Sequence, residues 1–185
     1  DAAAVAEREH GTRAIVYHQS AREFLSALDP LSIDLLLTDP PYSTDVPDID
    51  AFAAEWLPLA LSRMKATGRA YVFTGAYPNE LAAYLRVIHE RGLTERCQVL
   101  VWTYRNTLGP APAHAYKLNW QACFYLWGPD APPLSCPLMT EHFSVFDIAA
   151  PDGRHKDGRL HAWQKPDALG EMVIRHSTTA GGCVV

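Results

Sequence analysis

A rigid polar segment, Thr38-Asp39-Pro40-Pro41-Tyr42, directly follows an apolar run at residues 33–37. The run predicts a buried strand, and the prolines predict a stiff turn, because each fixes φ and removes a backbone donor. Such a turn presents a carboxylate, free carbonyl oxygens and one aromatic face at the end of a strand. A flat ring with an exocyclic amine needs acceptors for two N–H protons and a surface to stack on. The segment therefore favours a binding site for such a ring.

Length and composition favour one ordinary domain. The chain has 185 residues, of which 48 % are hydrophobic and 20 % charged, which are typical globular values. No apolar run reaches the length of a transmembrane helix, so we expect no membrane contact. The four cysteines lack CxxC spacing and are expected to be buried, reduced thiols of a cytoplasmic protein. No Cys/His group has zinc-site spacing, so no metal is expected.

Strand and helix patterns alternate along the chain, which predicts an α/β domain with a mostly parallel sheet. The strand patterns lie at residues 14–17, 33–37, 70–73, 98–102 and 122–127. The helix patterns lie at residues 21–28, 50–65, 78–91 and 167–176. Ser20 is the expected cap of the first helix and Asp50 that of the second, which Pro58 is expected to kink or divide. Gly92 is the expected end of the third helix. Residues 182–185 predict the start of a further strand.

Two long segments lack periodicity, residues 105–116 and 129–160, and loops of this length are usually functional or disordered. Charge is also uneven. Residues 29–62 carry seven acidic side chains and no Lys or Arg, whereas basic residues follow later, among them Arg105 and Arg154. Any surface that binds nucleic acid would have to come from the later group. The net charge of −5 argues against an indiscriminate nucleic-acid coat protein.

Several motifs resemble those of the S-adenosylmethionine-dependent DNA amino-methyltransferases. Asp39-Pro40-Pro41-Tyr42 is similar to their catalytic signature, and Trp102-Thr103-Tyr104-Arg105-Asn106 is similar to their Trp-x-Lys-x-Asn stretch. His161-Ala162-Trp163-Gln164-Lys165-Pro166 resembles an element that packs against the cofactor, and residues 68–73 resemble the strand after the catalytic helix. The order matches the permuted beta class, in which the catalytic motif precedes the cofactor motif.

The resemblance implies a Rossmann-like methyltransferase fold with a doubly wound, mostly parallel sheet in permuted order. Residues 1–185 would form a single catalytic domain, with residues 129–160 as a DNA-recognition insert. In the family, the strand after the Gln-Lys-Pro helix leads into a glycine-rich turn that holds the cofactor. The chain stops inside that strand, so the resemblance implies a fold that is incomplete at the C-terminus and a turn after residue 185.

The resemblance also implies roles for particular residues. The catalytic set is Asp39, Pro40, Pro41 and Tyr42; the cofactor set is Asp39, Lys165, Pro166 and Gln19; the substrate set is Tyr42, Arg105 and Asn106. Gln19 stands where the family often has an acid that contacts the cofactor's adenine, and its carbonyl oxygen can still accept from an amino group. Tyr104, Tyr116, Trp120 and Trp163 are candidates for stacking, although packing explains each of them more simply.

The implied function is a DNA methyltransferase that uses S-adenosylmethionine to methylate N6 of a flipped adenine in double-stranded DNA. Cytosine N4 is the close alternative, because both bases offer an amine with two protons. A protein-glutamine methyltransferase usually has Asn in place of Asp39, and a non-catalytic DNA-binding module derived from a methyltransferase stays open. The sequence also leaves open a homodimer and a restriction or partition partner.

Overall fold

The computed structural model describes residues 4–7, 13–107, 110–151 and 164–185. The strands, in chain order, are β1 (Ala4–Glu7), β2 (Arg13–Val16), β3 (Ile33–Thr38), β4 (Met64–Thr74), β5 (Cys97–Thr103), β6 (Trp120–Trp127) and β7 (Val145–Asp147). The helices are α1 (Ala21–Ala27), α2 (Ile49–Arg63), α3 (Pro78–Glu90) and α4 (Asp167–Ser177), with short 3₁₀ turns at Thr94–Arg96 and Met139–His142.

The main sheet has five strands in the order β3-β4-β6-β5-β7. Four of them run in one direction, and β6 runs antiparallel to its neighbours β4 and β5. Residues 183–185 continue the sheet beyond β3, where Leu35 and Val184 form a parallel bridge. The predicted alternating α/β architecture and the predicted strand start at 182–185 are confirmed.

Helices cover both faces of the sheet. On one face, Leu57 of α2 and Tyr84 of α3 belong to a buried cluster with Phe124 of β6. On the other face, Leu169 and Val173 of α4 belong to a second buried cluster with strand residues. The sheet is therefore doubly wound, and its strands are buried from both sides, as their continuous apolar runs predict.

Local chemistry explains the helix boundaries. Ser20 and Glu23 form a capping box at α1, which confirms the cap predicted there. The cap of α2 is Asp48, whose side chain accepts from the Ala51 N–H; the predicted cap Asp50 is wrong and lies in the first turn. Pro58 lies inside α2 as a single helix, so the predicted division is also wrong.

Pro78 opens α3, and Gly92 follows the helix with φ of +66°, a conformation that a residue without Cβ adopts easily. Both ends of this helix agree with the prediction. The predicted first strand does form, but β2 pairs with β1 in a separate two-stranded sheet rather than in the main sheet. Strand propensity specifies an extended segment without specifying its partner.

The long segment 129–160 is more ordered than expected in its described part, residues 129–151. It contributes the short edge strand β7, which pairs in parallel with β5. The cysteine prediction is only partly correct: Cys123 is buried, whereas Cys183 is exposed and Cys97 and Cys136 are half-buried. No helix of the described residues is long and apolar enough to cross a membrane.

Candidate active site

The turn that carries the site begins where β3 leaves the sheet. Thr38, the last residue of β3, lies opposite Val72 of β4. Beyond it the chain closes a local turn, in which the Tyr42 N–H donates to Oδ2 of Asp45 at 3.0 Å and the Asp45 N–H donates to the Tyr42 carbonyl at 2.9 Å. Pro40 is buried in this turn. The turn therefore fixes Tyr42 close to the carboxyl end of a buried strand, the usual place for a ligand site in such sheets.

Asp39, Tyr42 and Lys165 form a closed hydrogen-bonded triangle. The Tyr42 hydroxyl donates to Asp39 Oδ1 at 2.7 Å, and the Lys165 ammonium donates to Asp39 Oδ2 at 2.5 Å and to the Tyr42 hydroxyl oxygen at 2.9 Å. The side chain of Asp39 is 34 % exposed and that of Lys165 is 18 % exposed. The triangle is therefore a partly enclosed ion pair, and part of each charged side chain is still exposed.

Three aromatic rings surround the Lys165 ammonium. Its Nζ lies 5.5 Å from the ring centroid of Tyr42, 5.6 Å from that of Phe73 and 5.8 Å from that of Trp102. The distance from Nζ to the Tyr42 centroid nearly equals the sum of two lengths: from the centroid to the hydroxyl oxygen, and from that oxygen to Nζ. Lys165 therefore lies beyond the hydroxyl end of the ring. The ammonium therefore does not cover the faces of Tyr42, and the rings of Phe73 and Trp102 remain as its cation–π neighbours.

Burial shifts the pKa values of two members of the triangle. It lowers the pKa of Lys165 below the ordinary value for lysine, although the Asp39 carboxylate opposes the shift. Burial, followed by the charge of Asp39, raises the pKa of Tyr42 far above the ordinary value for tyrosine. Tyr42 therefore stays a neutral hydroxyl that donates to the Asp39 carboxylate at any physiological pH.

Two residues that the sequence did not assign also reach the turn. Gln121 of β6 lies with its Oε1 3.2 Å from the Tyr42 hydroxyl oxygen, whose one proton it shares with Asp39, and Glu80 of α3 accepts from the Ser43 N–H at 2.7 Å. Glu80 is fully buried. The sequence did contain an indication that Glu80 is buried. Glu80 lies on the apolar stripe of α3, three, four and seven residues before Ala83, Tyr84 and Val87.

Lys165 is the one residue of the predicted cofactor set that contacts Asp39 directly. Pro166, next to it, is buried, whereas Gln19 is exposed and follows β2 of the separate small sheet. Among the described residues, no hydrogen bond brings Gln19 to Asp39 or Tyr42. Residues 161–163 of the cofactor element lie outside the described residues.

Arg105 and Asn106 lie at the same edge of the sheet but hold a different segment. Arg105 donates to Asp147 Oδ2 at 2.7 Å with its side chain 85 % exposed. Asn106 donates to the Ala150 carbonyl at 2.8 Å and accepts from the Ala150 N–H at 3.0 Å. Arg105 therefore ties the end of β7, and Asn106 the residues after β7, to the loop after β5.

Within the described residues, no group of three or more His, Cys, Asp or Glu side chains is placed to hold a metal ion. In the described part of the chain, no cysteine is hydrogen-bonded to Asp39, Tyr42 or Lys165. Burial raises the pKa of Cys97 to about 11 and that of Cys123 well above the ordinary value. These two thiols are therefore protonated at neutral pH and unsuited to nucleophilic attack.

No family model and no curated protein sequence matches the chain. Solved structures do match its fold. The PvuII DNA methyltransferase, described as cytosine-N4-specific, superposes with a TM-score of 0.72 at 18 % identity, over 91 % of this chain and 71 % of that one. The M1.HpyAVI–SAM complex superposes with a TM-score of 0.62 at 18 % identity, over 91 % and 79 %. The chain therefore has the Rossmann-like fold of the DNA methyltransferases, as its motifs predicted.

Proposed function

We propose that the protein transfers a methyl group from S-adenosylmethionine to the exocyclic amine of a base in double-stranded DNA, with adenine N6 as the leading target. The observation that carries the proposal is the Asp39–Tyr42–Lys165 triangle at the carboxyl end of β3. The fold supports it, because the matching PvuII protein is described as a DNA methyltransferase.

The residues around Asp39 fit a positively charged cofactor. S-adenosylmethionine supplies an electrophilic methyl group on a sulfonium cation. Phe73 and Trp102 already lie within cation–π distance of an ammonium in the structure, and the Asp39 carboxylate lies beside it. Lys165 and Pro166, with Asp39, are the residues that we propose to line the cofactor's side of the pocket; Gln19 would join them only if β2 approached the main sheet.

Asp39 would act on the nucleophile. The amine of adenine is a weak nucleophile because its lone pair is delocalised into the ring. If the Asp39 carboxylate and the Pro40 carbonyl accept its two protons, the nitrogen becomes more tetrahedral and its lone pair becomes available. Charge-assisted hydrogen bonds of this kind are about twice as strong as neutral ones. A carboxylate is too weak a base to deprotonate the neutral amine first, so the proton would leave after methyl transfer.

The base would have to leave the duplex to reach Asp39. Tyr42 is the proposed stacking surface, and Pro41 would keep its ring in place. The loop between β5 and β6 leaves the sheet at the same edge and exposes Tyr116 at 97 %, which supports a role in contacting DNA. Arg105 is exposed there, and Asn106 would order the neighbouring segment. We propose that residues 1–185 form one catalytic domain with residues 129–160 as its recognition insert.

The choice between the two bases rests on one residue. In the amino-methyltransferase family, Asp at the position of Asp39 is more usual among adenine-N6 enzymes, whereas Ser is more usual among cytosine-N4 enzymes. The match to a protein described as cytosine-N4-specific keeps the second target as the alternative. The same acceptors would serve either amine, so pocket size would decide between purine and pyrimidine.

The test is to express the full-length protein in cells that lack DNA methylation and to measure modified nucleosides by mass spectrometry. N6-methyladenine in the wild type, and none with Asp39→Ala, is the expected result. N4-methylcytosine would move the target to cytosine. If neither nucleoside forms while the purified protein binds S-adenosylmethionine, the DNA substrate is wrong.

A further inference from the structure

The carboxyl group of Glu80 joins three elements directly beneath the proposed catalytic turn. Glu80 lies in the first turn of α3 and has no exposed surface, which is rare for a carboxyl group without partners. Its Oε1 accepts from the Ser43 N–H at 2.7 Å and from the Ser43 hydroxyl at 2.6 Å, and its Oε2 accepts from the Thr74 hydroxyl at 3.0 Å. Both oxygens are therefore in use.

These contacts connect the residue after Tyr42 to the end of β4. Pro40 and Pro41 have no N–H to anchor the turn, and the Tyr42 N–H is used locally on Asp45. The Ser43 N–H thus holds the backbone to another element immediately beyond Tyr42. Because Thr38 and Val72 are partners in adjacent strands, Thr74 gives Glu80 a fixed point beside the end of β3.

The space around the carboxyl group is matched to it. A Cβ atom added to Gly75 would lie 2.4 Å from Glu80 Oε2, so a larger residue at that position would displace the carboxyl group. Thr74 and Gly75 therefore fix the position of the Glu80 carboxyl group, which in turn binds the backbone of Ser43. The three donors make burial of the carboxyl group possible, and the lack of a side chain at Gly75 leaves the room that it occupies.

We propose that Glu80 is a positioning residue for the proposed methyl transfer: through Ser43 it holds Tyr42 in register with Asp39. The inference rests on the proposed function for its catalytic consequence and on the hydrogen bonds for its structural one. We call the hydrogen bonds from Ser43 to Glu80 the tether. Loss of the tether lets the Tyr42 ring and hydroxyl shift relative to Asp39. A misplacement of about 1 Å at a reacting centre can lower a rate by about a hundredfold.

The test compares Glu80→Met with Ile88→Val in the full-length protein. Met keeps the length of the side chain but has no oxygen acceptor, so the Ser43 N–H and hydroxyl both lose their partner. Ile88 is buried on the same helix, and its truncation to Val removes one methyl group from the core without touching the turn. We expect kcat to fall roughly 10- to 100-fold in Glu80→Met, with KM for the methyl donor within about twofold, and to stay within about twofold in Ile88→Val.

A double variant tests whether the effect passes through Ser43. Ser43→Ala should lower kcat less than Glu80→Met, because the backbone N–H remains, and Ser43→Ala with Glu80→Met should equal Glu80→Met alone. A wild-type kcat in Glu80→Met, or additive losses in the double variant, overturns the proposal.

Amide hydrogen exchange at Ser43 separates this inference from the proposed function. Glu80→Met should accelerate exchange at Ser43 about tenfold or more, and Ile88→Val should leave it unchanged once exchange is compared at equal global stability. If the wild type transfers no methyl group, the proposed function fails while the exchange result still decides the tether. Unchanged exchange at Ser43 in Glu80→Met contradicts the tether whatever the activity.

Discussion

The Lys165 ammonium lies 2.5 Å from Asp39 Oδ2, although the two residues are 126 positions apart in the sequence. The contact brings the turn after β3 together with the residues before α4, on opposite sides of the chain's midpoint. It occupies an oxygen of Asp39 that an incoming amine would also use. The ion pair therefore orients the carboxylate and must adjust when a substrate binds.

Replacing Lys165 by Met should lower methyl transfer roughly 10- to 100-fold, since a hydrogen bond to a charged group contributes about 1.5–3 kcal/mol. The matched control is Lys65→Met, because Lys65 also pairs with an aspartate, Asp34, at 2.8 Å but far from the turn. Initial rates at saturating DNA measure the effect. Equal rates in Lys165→Met and the wild type would show that the ion pair does not orient Asp39.

The same variant should change the pH profile. Burial lowers the pKa of Lys165, so this ammonium loses its proton at a lower pH than an ordinary lysine, and the ion pair is present below that pH and lost above it. Activity of the wild type should therefore fall on the alkaline side. Lys165→Met should lack that alkaline fall, which rate measurements across the pH range will show. An identical fall in both proteins would assign it to another group.

Tyr42 should act mainly through its ring. Tyr42→Phe removes the hydrogen bonds to Asp39 and Lys165 but keeps the stacking surface, so we expect a rate loss of about 3- to 10-fold. Tyr42→Ala also removes stacking, worth about 1–3 kcal/mol, and should raise KM for DNA further. Steady-state kinetics on unmethylated DNA distinguish the two. If Phe is as damaging as Ala, the hydroxyl rather than the ring face is what matters.

Asp34 should contribute stability that depends on pH. Although burial raises its pKa, hydrogen bonds from Lys65 and from the Cys183 N–H hold the net pKa of Asp34 below its ordinary value. Its contribution is therefore present above about pH 3.8 and is lost as the pH falls through the lowered pKa. Asp34→Asn should unfold more easily in urea than the wild type at pH 7, with the difference shrinking at pH 3.

A control for this prediction is Asp29→Asn, an exposed aspartate that precedes β3. It should leave the urea midpoint unchanged at both pH values. A difference between Asp34→Asn and the wild type that stays constant from pH 7 to pH 3 would mean that the Asp34 charge does not contribute.

Local signals were enough to predict most elements. The cap at Ser20 depends on Glu23 three residues later, and the end of α3 depends on Gly92, so both are visible in the sequence. The pairing partner of β2 was not visible in the sequence, because the strand propensity of a segment does not specify which strand it pairs with. Asp48 rather than Asp50 caps α2, since either acid suits a first turn and tertiary packing selects the start.

The site was predictable in part. Asp39 and Tyr42 were identified from their own motif, and Lys165 was linked to them by resemblance alone, because no local rule relates residues so far apart. Glu80 was missed since an acid near a helix N-terminus is ordinary on electrostatic grounds. Its position on the buried stripe of α3 was the available clue, and Gln121 offered none beyond its place in β6.

The central claim is that the Asp39 carboxylate directs methyl transfer to an exocyclic amine. The most direct measurement is transfer of a labelled methyl group from S-adenosylmethionine to unmethylated DNA by the purified full-length wild type, Asp39→Asn and the exposed control Asp29→Asn. We predict label on the amine with the wild type and Asp29→Asn, and a loss of orders of magnitude with Asp39→Asn at an unchanged circular dichroism spectrum. Turnover by folded Asp39→Asn within about tenfold of the wild type, less than one good charge-assisted hydrogen bond supplies, would contradict the claim.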